Sequence, residues 1–268
     1  MGNIPKIIHY CWFGRGALPE DSKQYIESWK KYCPDYEIKE WNEDNFDVNS
    51  NRYVKEAYEA KKYAFVTDYV RLYALYHEGG IYMDTDVEVI KPLDRFLEHH
   101  AFSSFENNDS IPTGLMASEK GGKWVKKLLD EYDGISFIKP DKTMDLTTNV
   151  IRITNLTEKE YGLKRKSSYQ DLGDVTLYPH EYFCPKDWNT GKINITENTY
   201  AIHHFKGSWH SDEEKRIIAK RLEYINKYGK GKGIAKFNRK QKIRRRLEYL
   251  LHPSKLITAL KNKLCKKK

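Results

Sequence analysis

The chain has 268 residues, 32% of them charged, with a formal net charge of +9, enough length for one good core in one or two domains. No run of 18 or more apolar residues occurs, so no transmembrane helix is expected, and the opening MGNIPKIIHY lacks the features of a secretory signal. The charge is split: Gly229 to Lys268 holds 15 Lys or Arg and one acid, Glu248, while the other 228 residues hold 32 basic and 37 acidic side chains. An acidic body, residues 1–228, therefore meets a basic tail, residues 229–268.

Lys6–Trp12 is apolar enough for a central strand and runs into a Gly14-Arg15-Gly16 loop. Ser22–Lys31 reads as a helix with Tyr25, Ile26 and Trp29 on one side, Tyr36–Trp41 as a second strand, and 42–51 as a polar loop. Arg52–His77 is helical but long for a globular helix, and a break is expected near Tyr63. Within it Phe65, Tyr69, Leu72 and Tyr76 form an apolar face, with Asp68 and Arg71 a polar pair on the opposite one. Gly79-Gly80 should stop the helix with a positive φ. Strand Ile81–Val89 follows, then a turn into a short helix at Pro92–Phe96. Phe102–Phe105, Gly114–Ser118, Leu177–Phe183 and Tyr200–Phe205 read as further strands, and Gly122–Asp133 as an amphipathic helix. Strand and helix alternate over the first third, which implies an α/β fold with a largely parallel sheet. Ligands of such sheets bind at the carboxyl ends of strands, where Trp12, Asp84 and Asp86 would sit. Cys11, Cys33, Cys184 and Cys265 are scattered, as reduced thiols are, and suggest no zinc or disulfide framework.

The candidate chemistry centres on Asp84-Thr85-Asp86. In an extended chain, residues two apart point the same way, so the two carboxylates converge. Their repulsion calls for a cation, and hard divalent ions such as Mn2+ or Mg2+ take oxygen ligands of this kind. A solvated strand edge or turn is the alternative for the Asp-x-Asp pair by itself. On its own Trp12 reads as a core aromatic sooner than a site residue, and Asp68 with Arg71 as a solvated i,i+3 salt bridge. Late in the chain, Ala201-Ile202-His203-His204-Phe205-Lys206-Gly207-Ser208-Trp209 runs from a strand into a loop, so only one of the two histidines can face a site directly. Either could instead be a buried histidine bonded to backbone.

The compound of helix, Asp68/Arg71 pair, Gly79-Gly80, short strand and Asp84-Thr85-Asp86 resembles the DXD-containing sugar transferases of glycosyltransferase family 32. Ile4-Pro5-Lys6-Ile7-Ile8-His9-Tyr10-Cys11-Trp12-Phe13-Gly14 and the His203–Trp209 segment extend the likeness over roughly the first 225 residues. That family contains fungal mannosyltransferases and bacterial capsule and polysaccharide transferases, and is distantly similar to clostridial toxin glucosyltransferase domains. The resemblance implies a glycosyltransferase A-type fold, one Rossmann-like mixed sheet flanked by helices. It implies a metal-dependent, retaining transfer of a hexose from a UDP-sugar or GDP-sugar to a glycan or lipid-linked glycan, in surface polysaccharide synthesis. By the same likeness Trp12 stacks on the base, Asp68 and Arg71 contact the donor sugar and its phosphate, Asp84 contacts the ribose and sugar, and Asp86 is the principal metal ligand. A late His-Phe-x-Gly segment returns a ligand to the metal, with His204 ahead of His203. Gly207 lets the backbone approach the diphosphate, Ser208 and Trp209 cover the leaving group, and Lys206 bonds the β-phosphate unless it is a plain surface lysine. Asn149, in the stretch Asp145–Asn149, corresponds to sugar-contacting positions, and no nucleophile stands out.

A nucleotidyl or phosphoryl transferase could use the same aspartates, but Walker and kinase signatures are absent. No nucleic-acid-binding motif appears, so no nucleic-acid partner is expected. The fungal members of that family carry a membrane anchor and this sequence shows none, so a cytoplasmic bacterial enzyme is expected. Ile243, Leu247, Leu250 and Leu251 beside Arg244-Arg245-Arg246, then Leu256, Ile257, Leu260 and Leu264, form two basic amphipathic stretches suited to the inner, anionic face of the cell membrane.

Overall fold

The structure, a computed structural model, describes residues 3–107, 109–207 and 212–251. These fall into two units, one of residues up to 187 with 192–207, the other of 188–191 with 212–251.

The first unit is built on a seven-stranded mixed sheet. β1 (Ile7–Cys11) lies between β2 (Glu37–Trp41) and β3 (Gly80–Met83), all three parallel. Beyond β3 come β6 (Leu115–Ser118) and β5 (Ala101–Ser104), each antiparallel to its neighbour. β8 (Thr176–Tyr178) runs parallel to β5, and β7 (Gln170–Asp171) closes the edge antiparallel to β8. The α/β class is as expected, but half the sheet is antiparallel, because β6 runs back between β3 and β5 and β7 runs back beside β8.

Helices cover both faces. α1 (Glu20–Tyr32) buries Ile26 and Trp29 with Ile8, Tyr10, Ile81, Met83 and Phe96. The opposite face carries α2 (Arg52–Glu59), α3 (Tyr63–Glu78), α4 (Lys123–Asp130) and α5 (Asn149–Tyr161), whose Tyr53, Val66, Leu72, Trp124 and Ile153 pack with Tyr82 and Met116. Along β3 the alternation is strict: Ile81 and Met83 face one core, Tyr82 the other. α2 begins where the Asn51 side chain accepts from the Tyr53 and Val54 amides. It ends at a left-handed Lys61 (φ 56°), which breaks the expected long helix just before Tyr63. α3 stops at Gly79 (φ 73°) and Gly80 (φ 107°), as the Gly-Gly pair predicts. A Cβ on Gly80 would lie 2.6 Å from the Ile7 carbonyl oxygen, so a side chain there would also push β1 away.

The expected strand Ile81–Val89 is two strands in two sheets. β3 ends at Met83, a turn closed by Val87 N donating to Asp84 O at 3.0 Å intervenes, and β4 (Val87–Val89) pairs antiparallel with β9 (Ala201–His203). α1 braces this small sheet, with Trp29 Nε1 donating to Val87 O at 2.8 Å. Helix α5 has no counterpart among the expected elements, and the expected strand Leu177–Phe183 shortens to β8 followed by a 3-10 turn at His180–Tyr182.

The second unit contains two helices, α6 (Asp212–Tyr228) and α7 (Lys230–Leu251), joined at Gly229, so it takes in α6 as well as the basic stretch that begins there. Phe237 and Ile225 are buried, and a Cβ on Gly233 would lie 2.5 Å from Tyr224 O, so the helices pack closely. Among the described residues no helix is long and apolar enough to cross a membrane. The second basic stretch, 254–268, lies outside the described residues, as do the side chains of Leu247, Leu250 and Leu251.

Candidate active site

The turn between β3 and β4 brings Asp84 and Asp86 together, so their convergence comes from a tight turn and not from strand alternation. β9 then delivers His203 beside them, paired in register with Val87. One donor atom from each of Asp84, Asp86 and His203 lies within 4.8 Å of the others.

Each side chain is held from behind. Tyr82 Oη donates to Asp84 Oδ1 at 2.8 Å, and the Asp84 amide donates to Gly114 O at 2.8 Å. His203 Nε2 stands 3.3 Å from Asp86 Oδ1, and the Lys206 amide donates to Asp86 Oδ2 at 2.8 Å. Burial disfavours the Asp86 anion, but the His203 charge and hydrogen bond outweigh it and hold the carboxyl down at about 2. For His203, burial opposes the cation and the Asp86 charge more than compensates, raising the imidazole well above its ordinary value. The ring's other titratable neighbours, Glu106 and Cys184, are both raised by burial. His203 Nδ1 is buried with no hydrogen-bond partner among the described residues. Gly114 makes room for this ring, since a Cβ there would lie 2.7 Å from it.

Asp68 and Arg71 are 9% and 4% exposed, which excludes a solvated surface pair. The two face the sheet rather than solvent. Arg71 Nη2 lies 3.3 Å from Asp68 Oδ1 and 3.4 Å from Asp84 Oδ1, while Nη1 donates to Thr113 O at 2.6 Å. Its guanidinium also stands over the Tyr82 ring, 4.6 Å from the centroid. Burial disfavours the guanidinium cation, yet the charges around it, that of Asp84 foremost, raise its pKa further, whereas burial lifts Asp68 to about 6. Asn149, at the start of α5, is buried and donates from Nδ2 to Asp68 O at 3.0 Å. The arrangement is a buried Arg-carboxylate network opening onto a carboxylate-imidazole cluster.

His204 points elsewhere. Its Nε2 bonds Glu88 Oε2 at 2.9 Å and its ring stacks on Tyr25 at 4.6 Å, so the order expected for the two histidines is reversed in space. Strand alternation explains the reversal, because successive side chains leave β9 on opposite sides. Lys206 Nζ is paired with Asp21 at 2.6 Å. Trp12 is half-buried at the end of β1, with Nε1 donating to Gly16 O at 2.6 Å. Gly207 has φ 58°, and Ser208 and Trp209 lie outside the described residues. Tyr82 and Gly114 also support the cluster, and neither lies in a motif that marks it as functional. Only the unexplained glycine opening a strand in Gly114–Ser118 hinted at one of them.

Two oxygen donors and one imidazole nitrogen, converging within 4.8 Å, fit a divalent cation such as Mn2+ or Mg2+.

The chain is similar to several known proteins. Residues 19–103 match a family described as a glycosyltransferase sugar-binding region containing a DXD motif. An uncharacterized glycosyltransferase of Acanthamoeba polyphaga mimivirus is 33% identical over 214 residues, 77% of this chain and 84% of that protein. Inositol phosphoceramide mannosyltransferase 2 of Schizosaccharomyces pombe is 27% identical over 222 residues, 80% of this chain. The chain spans 61% of that relative's length and 38% of the length of inositol phosphoceramide mannosyltransferase 3 from the same yeast. Among solved structures, the PaToxG glycosyltransferase aligns with a TM-score of 0.46 at 19% identity, over 59% of this chain and 70% of that one. A glycosyltransferase involved in glycosylation of the major capsid of PBCV-1 aligns with a TM-score of 0.44 at 14% identity, over 80% of this chain and 99% of that one.

Proposed function

The chain belongs to the family of glycosyltransferases whose sugar-binding region contains a DXD motif, and from that premise we propose that it transfers a hexose from a UDP-sugar or GDP-sugar to a glycan or lipid-linked glycan. The observation that carries the reading is the convergence of Asp84, Asp86 and His203 within 4.8 Å. A cation on these residues would neutralise the donor diphosphate and stabilise the departing phosphate. Arg71 fixes Asp84 from behind, the buried Asp68 and Asn149 hold Arg71 and the start of α5 in place beneath the sugar position, and Trp12 offers a flat surface for the base. Transfer proceeds with retention, and with no nucleophile evident the leaving phosphate oxygen takes the acceptor proton. The mannosyltransferase names of the fungal relatives put a mannose nucleotide first among donors, and their inositol phosphoceramide acceptors favour a lipid-linked acceptor here. The basic α7 supports attachment to an anionic membrane surface, the cytoplasmic face in a bacterium, with synthesis of surface polysaccharide as the setting.

The test is a panel of UDP- and GDP-sugars, assayed for hydrolysis with Mn2+ and with EDTA. One donor should be cleaved only with metal, and Asp86→Ala should lower that rate by roughly a thousandfold or more, the scale of several kcal/mol. Equal activity in EDTA and Mn2+ would overturn the metal-dependent reading.

A further inference from the structure

Within that reading, two lysines stand near the Asp84–Asp86–His203 cluster, and their surroundings differ. Lys206 Nζ is paired with Asp21 Oδ2 at 2.6 Å, so its charge is already neutralised on the surface of α1. Lys186 follows Phe183-Cys184-Pro185, all buried, and is itself half-buried. Its Nζ donates to His204 O at 2.6 Å, and no carboxylate lies within ion-pair reach among the described residues. A half-buried lysine whose ammonium bonds only a carbonyl among the described residues retains two N–H donors and a charge with no ion-pair partner there.

The backbone that Lys186 grips is the one that wraps the candidate metal ligand. The His204 amide donates to Asp86 O at 2.9 Å, and the Lys206 amide donates to Asp86 Oδ2 at 2.8 Å. Between them Phe205 is left-handed (φ 51°), a costly conformation for a residue with a Cβ. The Lys186 ammonium braces this turn through the His204 carbonyl, one residue from the His203 that completes the cluster. Burial and the nearby Lys206 charge both push its pKa down, partly offset by Asp86. A phosphate oxygen would supply the missing counter-charge.

We propose that Lys186 is a phosphate-binding residue of the donor site, carrying the diphosphate charge that the cation leaves uncompensated, and that Lys206 contributes its backbone amide rather than its ammonium. The inference rests on the nucleotide-sugar reading above. It predicts that Lys186 discriminates between a diphosphate and a monophosphate, because a single phosphate satisfied by the cation has no second charge to offer.

The experiment uses the full chain with Mn2+ and four probes: UDP, GDP and their monophosphates, each titrated calorimetrically, with Mn2+ alone followed by electron paramagnetic resonance. In Lys186→Met, affinity for whichever diphosphate the wild type binds should fall roughly tenfold or more, the scale of a lost charge-assisted hydrogen bond. Monophosphate affinity and Mn2+ binding should change little, and Lys186→Arg should recover part of the loss. Unchanged diphosphate affinity in Lys186→Met, or a loss confined to Lys206→Met, would overturn the assignment. An equal loss for mono- and diphosphate would reduce Lys186 to a brace for the turn. A wild type that binds no nucleoside diphosphate in Mn2+ would remove the nucleotide-sugar reading itself, an outcome separate from the others.

Discussion

At the scale of single residues, His203 and Asp86 hold each other's charge. The folded His203 pKa is raised, so its contribution to stability is fully present below the ordinary value of 6.5 and is lost as pH rises through the folded value. Asp86 is lowered from 3.8 to about 2, so its contribution is present above 3.8 and is lost as pH falls through the folded value. Metal-free protein should therefore gain most from the pair between about pH 4 and 6.5, and His203→Ala should flatten the stability profile across that window. A cation needs neutral imidazole, so Mn2+ affinity should rise with pH and binding should release a proton. Calorimetry in two buffers of different ionisation enthalpy would show that release, and a buffer-independent heat would exclude it. His203→Ala should raise the Mn2+ requirement more than His204→Ala does, the reverse of the order taken from the sequence. Alternation along a strand settled that only one histidine could face the cluster, but not which, because the phase depends on where β9 pairs with β4.

At the scale of elements, α3 carries the largest electrostatic commitment. Arg71 is buried between Asp68, Asp84, the Thr113 carbonyl and the Tyr82 ring. Arg71→Met would leave those partners uncompensated and should cost about 3–5 kcal/mol in denaturant unfolding, on top of lost activity. A cost below about 1 kcal/mol would mean that protons or water replace the guanidinium. Much of this element could be read in advance: the stop at Gly79-Gly80 follows from glycine's tolerance of positive φ. The break before Tyr63 was expected, though its device, a left-handed Lys61, has no local sign, since lysine is an ordinary helix former. The burial of Asp68 and Arg71 was likewise hidden. Four apolar residues at helical spacing suggested one inward face, but α3 is covered on both sides, its aromatic stripe by α2 and the Phe137 region and its polar pair by the sheet. The turn at Asp84–Asp86 was read as strand because Val87-Glu88-Val89 resumes β character immediately, and only the second sheet reveals the interruption.

At the scale of the whole molecule, the uneven charge noted in the sequence has a structural address. α7 displays Lys232, Lys236, Arg239, Lys240 and Lys242 as exposed residues, with Ile243 50% exposed among them. Each such charge contributes ~1 kcal/mol at an anionic surface, so sedimentation with phosphatidylserine vesicles should pellet the full chain at low salt and release it at high salt. Replacing Lys236, Arg239 and Lys240 with Glu should abolish pelleting, and undiminished binding of that variant would remove α7 from the membrane. The composition pointed to this region because charge is read directly from residue types. The helical hairpin it forms with α6 was less legible, since α6 mixes acids and bases around two half-exposed isoleucines, Ile217 and Ile218.

The division of the expected strand has one more consequence. Asp84 follows the last residue of β3 in the large sheet, Asp86 precedes the first residue of β4 in the small one, and His203 ends β9 of the small sheet from far along the chain. A cation gripped by all three is thus a rivet across a seam, and its loss would let one plate work loose from the other. Amide exchange in β4 and β9 should quicken when EDTA strips the enzyme, while β1 and β2 keep their protection. The enzyme would then sense its own loading as stiffness, firm when charged with metal and slack at the joint when empty.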